Sequence, residues 1–403
     1  MSRKKNRIFC GIDVGASKVC MLIARELPDG GLELMSSGHA ESRGLVKGVV
    51  VDLDAVAASI RKAADEAEKI ADISVESVAL GAGGDHFQSF NSRGAVTVMG
   101  ERQEVTLELA TQVIEASKSI LLPPDREIKH TLPQEFFLDG RGGIKNPVGL
   151  FGSQLDVNVH IITYQSALLQ NLINAVNRAE MRVQNVIAQP LAAAEAVLTK
   201  DEKELGAAVI DIGGGSTNIA VIRQNAVLFT EILPVGGRNF TLDLAVGIKT
   251  PIEEAERVKK DSGTVLTEIS DSEKSMTIPG IGARPSHKVT RGDIRDILRA
   301  RAMELLELVH DRLRQTADGA PLIAGVVITG GGSQLNGMTE LAENIFGMPA
   351  RQGAPLGIMG LNKELLNPKY AAVVGLTLLG MKDSDARPQQ KILDRIRKFL
   401  SGN

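Results

Sequence analysis

The chain has 403 residues, 43% hydrophobic and 24% charged, with a net charge of −3. That length suits two to four lobes rather than one ordinary domain. The 41 glycines, 3% aromatics and absent tryptophan suit an α/β protein with tight loops and exclude a general nucleic-acid reader, which needs aromatic platforms and a basic face. Cys10 and Cys20 are expected as buried free thiols in a reducing compartment. The six histidines fall at no zinc-ligand spacing, so no structural metal is expected. The basic start (Arg3, Lys4, Lys5, Arg7) does not lead into a signal peptide, because Asp13 and Lys18 break the apolar run. No stretch reaches the roughly 18–20 apolar residues of a membrane span, and Ala371–Met381 is about half that.

In chain order, Ile8–Val14 and Val19–Ala24 read as strands around a Gly-Ala-Ser turn, followed by a strand at Leu32–Ser36. Asp54–Ile70 reads as a helix, with Val56, Ile60, Ala63, Ala67 and Ile70 on one stripe, and Val75–Leu80 as a strand. From Gly84 to Thr163 the texture changes to short strands, one helix (Glu108–Ile120) and Pro-containing turns, which predicts an inserted subdomain. Then follow a helix at Ser166–Arg178, a strand at Val183–Ile187 and a helix at Leu191–Leu198. Ala207–Ile212 and Ile219–Ile222 repeat the strand–turn–strand of the N-terminus. Helices follow at Pro251–Lys260 and Asp293–Arg314, with a strand-rich piece between them, then a strand at Ile323–Ile328 and a helix at Met338–Phe346.

The chemistry sits in three glycine loops. Ile8–Val19 reads Ile-Phe-Cys-Gly-Ile-Asp-Val-Gly-Ala-Ser-Lys-Val, and Val209–Val221 reads Val-Ile-Asp-Ile-Gly-Gly-Gly-Ser-Thr-Asn-Ile-Ala-Val. Each is an apolar strand, Asp-x-Gly, a small-residue turn with a hydroxyl, and a second apolar strand; repetition at about 200 residues predicts a duplicated lobe. Gly15 and Ala16 in the first loop, and Gly213, Gly214 and Gly215 in the second, let backbone N–H groups approach phosphate oxygens. Asp13 and Asp211 at the strand ends suit Mg²⁺ held through water. Ser17, Ser216 and Thr217 offer hydroxyls and Lys18 a point charge, and Asn218, Gly236 and Gly237 are also expected to touch the nucleotide. The third loop, Gly330-Gly331-Gly332-Ser333, ends a strand and is expected under an adenosine moiety. Glu256 and Lys259 share a helix face and are expected at the ribose, with Lys260 against the base. A lone Asp-x-Gly-Gly-Gly is often a plain hairpin turn; three such loops in order point to ATP. No Gly-x-x-x-x-Gly-Lys-Ser/Thr loop is present, and Gly81-Ala82-Gly83-Gly84 lacks the helix of a dinucleotide fingerprint.

These loops resemble the phosphate and adenosine motifs of the actin superfamily of ATPases. Leu132-Pro133-Gln134-Glu135-Phe136, Gly143-Ile144-Lys145-Asn146-Pro147-Val148-Gly149-Leu150 and Gly353-Ala354-Pro355-Leu356 resemble, within it, the FtsA family of bacterial cell-division proteins, over about Arg7–Met381. The resemblance implies an α/β, actin-like, duplicated two-lobe fold: 1–83 with 164–195 and 359–381 as the first lobe core, 84–163 as the insert, 196–240 with 315–358 as the second lobe core, and 241–314 as its upper subdomain. It implies ATP and Mg²⁺ in the cleft, self-assembly into filaments through contacts of the insert, and a partner, the C-terminal peptide of the tubulin-like protein FtsZ. Arg301 and Glu304 fall where the family binds that peptide, with Arg291 and Arg299 nearby to meet an acidic tail. Gln189 falls where the superfamily orients the attacking water; a glutamine is no strong base, so any hydrolysis is expected to be slow.

Residues 382–390 read as a short linker reaching ~25–30 Å. Residues 391–403 hold an amphipathic segment in which Ile392, Leu393, Ile396, Phe399 and Leu400 make an apolar stripe flanked by Lys391, Arg395, Arg397 and Lys398. Half-burying the five apolar side chains contributes ~4–6 kcal/mol, each cation ~1 kcal/mol, and ordering costs ~1 kcal/mol per residue. One foot on anionic lipid is therefore marginal, and many on one filament are not. The resemblance gives this tail the same membrane role, at the cytoplasmic side of the cell membrane and the division site, where other division proteins are expected as partners. The alternatives are a pilus-assembly relative of the same fold and a small-molecule kinase; the kinase needs a catalytic Asp outside the phosphate loops, and none is evident.

Overall fold

The computed structural model describes residues 7–84, 86–99, 103–268, 272–282, 284–316 and 321–384. The linker beyond Ser384 and the amphipathic segment from Lys391 to Leu400 lie outside the described residues. Lobe 1 opens with the antiparallel strands β1 (Ile8–Val14), β2 (Lys18–Glu26) and β3 (Leu32–Glu41), then a small hairpin, β4 (Leu45–Val46) with β5 (Val49–Val50). Helix α1 (Leu53–Ala71) is capped by Asp52, whose carboxylate accepts the Ala55 N–H at 3.0 Å, and it buries the predicted stripe of Val56, Ile60, Ala63 and Ala67. Ile70, the last member of that stripe, is instead exposed in the last turn of the helix.

After β6 (Ser77–Ala82) the chain enters the insert: β7 (Phe87–Thr97), α2 (Leu107–Ala116), β8 (Arg126–Leu138), β9 (Arg141–Ile144) and β10 (Gln154–Gln165). Its sheet runs β7-β10-β8-β9 and has its own core around Phe136, Leu155, Val157 and Ile161. Three of these strands are long rather than short. Pro133 lies inside β8 at a register shift against β10, where a missing N–H does not break the ladder.

The chain returns through α3 (Ser166–Arg178) and β11 (Arg182–Ala188), and crosses to lobe 2 through α4 (Gln189–Val197) and α5 (Lys200–Leu205). Lobe 2 repeats the meander in β12 (Ala207–Ile212), β13 (Thr217–Arg223) and β14 (Ala226–Leu233). Helices α6 (Gly237–Gly247) and α7 (Ile252–Ser262), the hairpin β15 (Ser275–Ile278) with β16 (His287–Thr290), and α8 (Arg291–Thr316) form its upper part. Then come β17 (Val326–Thr329), α9 (Met338–Phe346), β18 (Ala350–Gln352), β19 (Ile358–Met359) and α10 (Ala371–Ser384). Strand β17 starts later than Ile323 because the Gly325 N–H closes a turn onto the Leu322 carbonyl, leaving Ile323 exposed.

The sheets run β11-β6-β1-β2-β3-β19 and β14-β13-β12-β17-β18. In each, an antiparallel meander is extended by a parallel strand on its first member, β6 on β1 and β17 on β12. This is the duplication expected from the repeated loops, and the architecture is an actin-like two-lobe α/β fold with an insert. A core of Cys20, Leu22, Ala193, Val197, Val209, Val373 and Val374 is shared by both sheets through α4 and α10. Those two helices meet backbone to backbone, since a Cβ on Gly375 would overlap the Ala192 carbonyl.

Candidate functional site

The two hairpin turns are built alike. Register pairs Asp13 with Cys20 and Val14 with Val19 in lobe 1, and Asp211 with Asn218 and Ile212 with Thr217 in lobe 2. The Gly15 N–H donates to the Lys18 carbonyl at 3.0 Å, and the Gly213 N–H to the Ser216 carbonyl at 2.9 Å. The turns face each other: a Cβ on Gly214 would stand 2.8 Å from Ser17 Oγ, and one on Gly215 2.8 Å from Ala16 Cβ. Only residues with no side chain let the lobes close this tightly.

Asp13 and Asp211 are buried at the strand ends. Gln189 Nε2 donates to Asp13 Oδ1 at 2.7 Å, and Asn218 Nδ2 to Asp211 Oδ2 at 2.9 Å. Burial pushes Asp211 up to about 6, against the opposing Asn218 hydrogen bond. Burial raises Asp13 as well, opposed by Lys18 and by the Gln189 hydrogen bond. The Lys18 ammonium nitrogen is buried with no hydrogen-bond partner, and desolvation holds its pKa below the ordinary lysine value although Asp13 and Asp211 pull it up. It lies 3.6 Å from the centroid of the Tyr370 ring. Burial also pushes both cysteine thiols up to about 12, so they are inert packing groups.

Gly236 and Gly237 open α6 against the second turn. The Gly237 and Arg238 N–H groups donate to the Gly213 and Gly214 carbonyls, each at 2.8 Å. Lys259 Nζ bridges Glu256 Oε2 (2.6 Å), Thr241 Oγ1 (2.7 Å) and the Gly237 carbonyl (2.9 Å), and Lys260 reaches Glu256 Oε1 at 3.1 Å. The third loop closes on the same place. Gly330 adopts φ 81°, and a Cβ there would overlap Asp211 Oδ1. Gly331–Gln334 forms a 3-10 turn rather than running straight into a helix, and α9 begins only after Gly337.

Thr217, an expected hydroxyl donor, and Ser333 of the third loop are both engaged inside the protein. Thr217 Oγ1 donates to the Val235 carbonyl and is fully buried, and Ser333 Oγ donates to the Gly330 carbonyl, each at 2.8 Å. Both brace loops. Ser17 and Ser216 lie on the turns themselves. The α8 residues pack onto α6 in the upper part of lobe 2. Arg301 forks onto Asp243 of α6, with Nη2 to Oδ1 at 3.1 Å, and pairs with Glu304 at 2.5 Å. Arg299 Nη1 donates to the Val265 carbonyl at 2.6 Å, and Arg291 begins the helix. Sequence reasoning missed Tyr370, Thr241 and Asp243; none sits in a motif, and each is defined by a contact across the fold.

A second polar junction joins the insert to lobe 2 along β14. Ser89 Oγ donates to the Thr230 carbonyl (2.5 Å), and Gln134 Nε2 to the Val227 carbonyl (2.9 Å). His160 Nδ1 is 2.7 Å from Asn91 Oδ1 and its Nε2 is 2.8 Å from Thr230 Oγ1. Asn91 Oδ1 is an acceptor here, so Nδ1 carries a proton. Burial, assisted by His130, pushes its pKa down to about 4.

Residues 208–375 match the family described as cell division protein FtsA, and residues 84–163 match the SHS2 domain inserted in FTSA. The cell division protein FtsA of Pseudomonas aeruginosa is 35% identical over 416 residues, covering 100% of this chain and 99% of the relative. That of Escherichia coli K12 is 36% identical, covering 97% and 94%. Among solved structures, the PilM-PilN type IV pilus biogenesis complex matches with TM-score 0.66 at 20% identity, covering 93% of this chain and 98% of that one. MreB5 of Spiroplasma citri bound to ADP matches with TM-score 0.56 at 15% identity, covering 93% and 96%. At these identities the structures speak for the fold.

Proposed function

This chain belongs to the FtsA family of cell-division proteins, and from that premise we propose that it is an ATP-binding, filament-forming adaptor that tethers FtsZ to the inner face of the cytoplasmic membrane and helps assemble the division septum. The observation that carries the nucleotide reading is the Lys18 ammonium, buried without an acceptor beside the facing glycine turns. A buried ammonium with no hydrogen-bond acceptor is costly, and a phosphate oxygen is the acceptor it lacks. The turns Gly15–Ser17 and Gly213–Ser216 would cradle phosphate, with Gly236 and Gly237 behind them. Gly330–Gly332, Glu256, Lys259 and Lys260 would face the adenosine.

Asp13 and Asp211 fit Mg²⁺ held through water. They are the acids nearest the turns, and no group of three or more metal-ligating side chains occurs among the described residues, so a hydrated ion suits the site better than a protein cage. The ion would supply charge neutralisation between phosphate oxygens. Gln189, held on Asp13, would orient a water but, as a carboxamide, would not take its proton, so turnover is slow and the nucleotide acts chiefly as an assembly ligand.

The adaptor role rests on family membership. No helix among the described residues is long and apolar enough to cross a membrane. The segment Ile392–Leu400 would then serve as a peripheral foot, with Lys391, Arg395, Arg397 and Lys398 against anionic lipid. Arg291, Arg299, Arg301 and Glu304 on α8 would receive the FtsZ peptide, and the insert would contribute to filament contacts. The test is co-sedimentation with anionic vesicles, with and without Mg·ATP, of the full chain and of a chain ending at Arg387. Pelleting of the full chain alone, increased where it polymerises, is expected; both forms in the supernatant under every condition would sink the tether.

A further inference from the structure

The ring beneath Lys18 is itself held in place. Tyr370 is 3% exposed, and its hydroxyl donates to Glu364 Oε1 at 2.5 Å. It ends the 3-10 turn Pro368–Tyr370, whose Pro368 carbonyl accepts the Gly330 N–H at 3.2 Å and the Thr329 hydroxyl at 3.3 Å. Asn367, which precedes that turn, donates through Nδ2 to Gln334 Oε1 at 2.6 Å. One short segment therefore touches the third glycine loop with its backbone and the lysine of the first with its side chain.

We propose that Tyr370 is a positioning residue for Lys18: its ring face holds the ammonium beside Asp13 and Asp211, where nucleotide phosphate is received, and its turn couples that lysine to the third glycine loop. The proposal rests on the nucleotide reading above and goes beyond it, because neither the loops nor their spacing points to an aromatic partner. The physical argument starts from the lysine, a compact charge on a flexible stem that must be kept in one place to act as a phosphate ligand. A carboxylate partner would fix it, but would compete with phosphate for the same N–H groups. An aromatic face holds the cation through its quadrupole and accepts no conventional hydrogen bond, so the N–H groups remain available to an arriving anion. Asp13 and Asp211 bear their hydrogen bonds from Gln189 and Asn218, and neither takes one from Lys18.

The experiment compares wild type, Tyr370→Leu and Tyr370→Phe by equilibrium binding of ATP, ADP and AMP in Mg²⁺, with thermal unfolding measured alongside. Tyr370→Leu is expected to weaken ATP about three- to ten-fold while leaving AMP unchanged, as loss of a desolvated cation–π contact at the distal phosphates requires. Tyr370→Phe keeps the ring face and is expected to bind all three within about two-fold of wild type. A second readout is spectroscopic. The chain has 2 tyrosines and no tryptophan, and Tyr164 is fully buried against Phe87 and His86 where the insert joins the lobe 1 core. Inorganic tripolyphosphate, which does not absorb near 280 nm, should therefore change the tyrosine emission of wild type and leave that of Tyr370→Phe unaltered. Equal losses of ATP and AMP in Tyr370→Leu would make the residue merely structural and overturn the proposal, as would unchanged ATP binding or an unresponsive wild-type emission despite tripolyphosphate binding. If Tyr370→Leu does not fold, Tyr370→Phe and the emission readout decide. A wild type that binds neither ATP nor tripolyphosphate overturns the nucleotide reading itself, a different failure.

Discussion

Acidification should loosen the insert from lobe 2, and His160 sets the size of the effect. In the closed junction its ring is neutral, with Nδ1–H on Asn91 and Nε2 accepting from Thr230, and its pKa is pushed from 6.5 down to about 4. When the insert parts from β14 the ring meets water and takes up protons more readily. The open state binds more protons between the two pKa values, so stability is full above 6.5 and falls as pH drops toward 4. The full loss is about 3 kcal/mol, of which about 2 kcal/mol has gone by pH 5. Asp211 works in the opposite sense, since its raised pKa gives stability that is present below 3.8 and lost as pH rises through about 6. A global melt would let the two offset each other. Glu231, raised by burial on the same strand, shares that opposite sign. The assay should therefore be local and differential: amide hydrogen exchange over Ala226–Leu233, corrected for intrinsic rates, in nucleotide-free wild type and His160→Gln at pH 7.5 and 5.0. Glutamine keeps a polar amide against Asn91 and Thr230 but does not titrate. Wild type should lose about 2 kcal/mol of protection and the variant little. Parallel profiles in the two proteins would refute the role given to His160.

Lys18→Met should weaken ATP at least about ten-fold yet raise the melting temperature of the nucleotide-free protein, because it removes a buried cation with no acceptor; a lower melting temperature counts against the site. Gly330→Ala places a Cβ on Asp211 at a left-handed φ, so nucleotide affinity should fall and stability drop by about 1–3 kcal/mol, read by titration and urea unfolding. Arg301→Ala unpairs Asp243 and should cost about 1–2 kcal/mol in urea, whereas Glu304→Lys, at an exposed position, should leave stability near wild type and change only binding of an FtsZ C-terminal peptide.

Much of the scaffold was legible because it repeats one local rule. An apolar strand ending in Asp-x-Gly is buried on both faces and must turn at once, so the strands around Asp13 and Asp211 declared themselves. Strand β14 and helix α6 did not. Helix α6 starts at Gly236-Gly237, with no hydroxyl or carboxylate cap in the sequence to announce it, and its first N–H groups are taken up by the carbonyls of the second turn. The α2 helix was expected to run to Ile120 and stops at Ala116, where Ser117 turns its hydroxyl back onto the Ile114 carbonyl. In the site, glycines and acids were readable as residue types, but the engagement of Thr217, Ser333 and Lys259 inside the protein was not. Tyr370 was hidden for the same reason: its meaning is a contact with Lys18, a residue far away along the chain.

The crossing of α4 and α10 has a mechanical consequence. Gly375 seats on the Ala192 carbonyl with no side chain between, Leu376 and Ile187 pack beside Ala192, and Lys382 of α10 donates to Glu195 of α4 at 2.9 Å. Backbone meets backbone at the centre of that contact, so a turn of one lobe on the other about it would pivot at Gly375 and strain the Lys382–Glu195 pair at its edge. The junction along β14 is the reverse, a row of directional hydrogen bonds that must break to let go. The molecule thus has a close-packed pivot where the chain crosses between its halves and a catch where the insert reaches over, and the catch can be altered without touching the pivot.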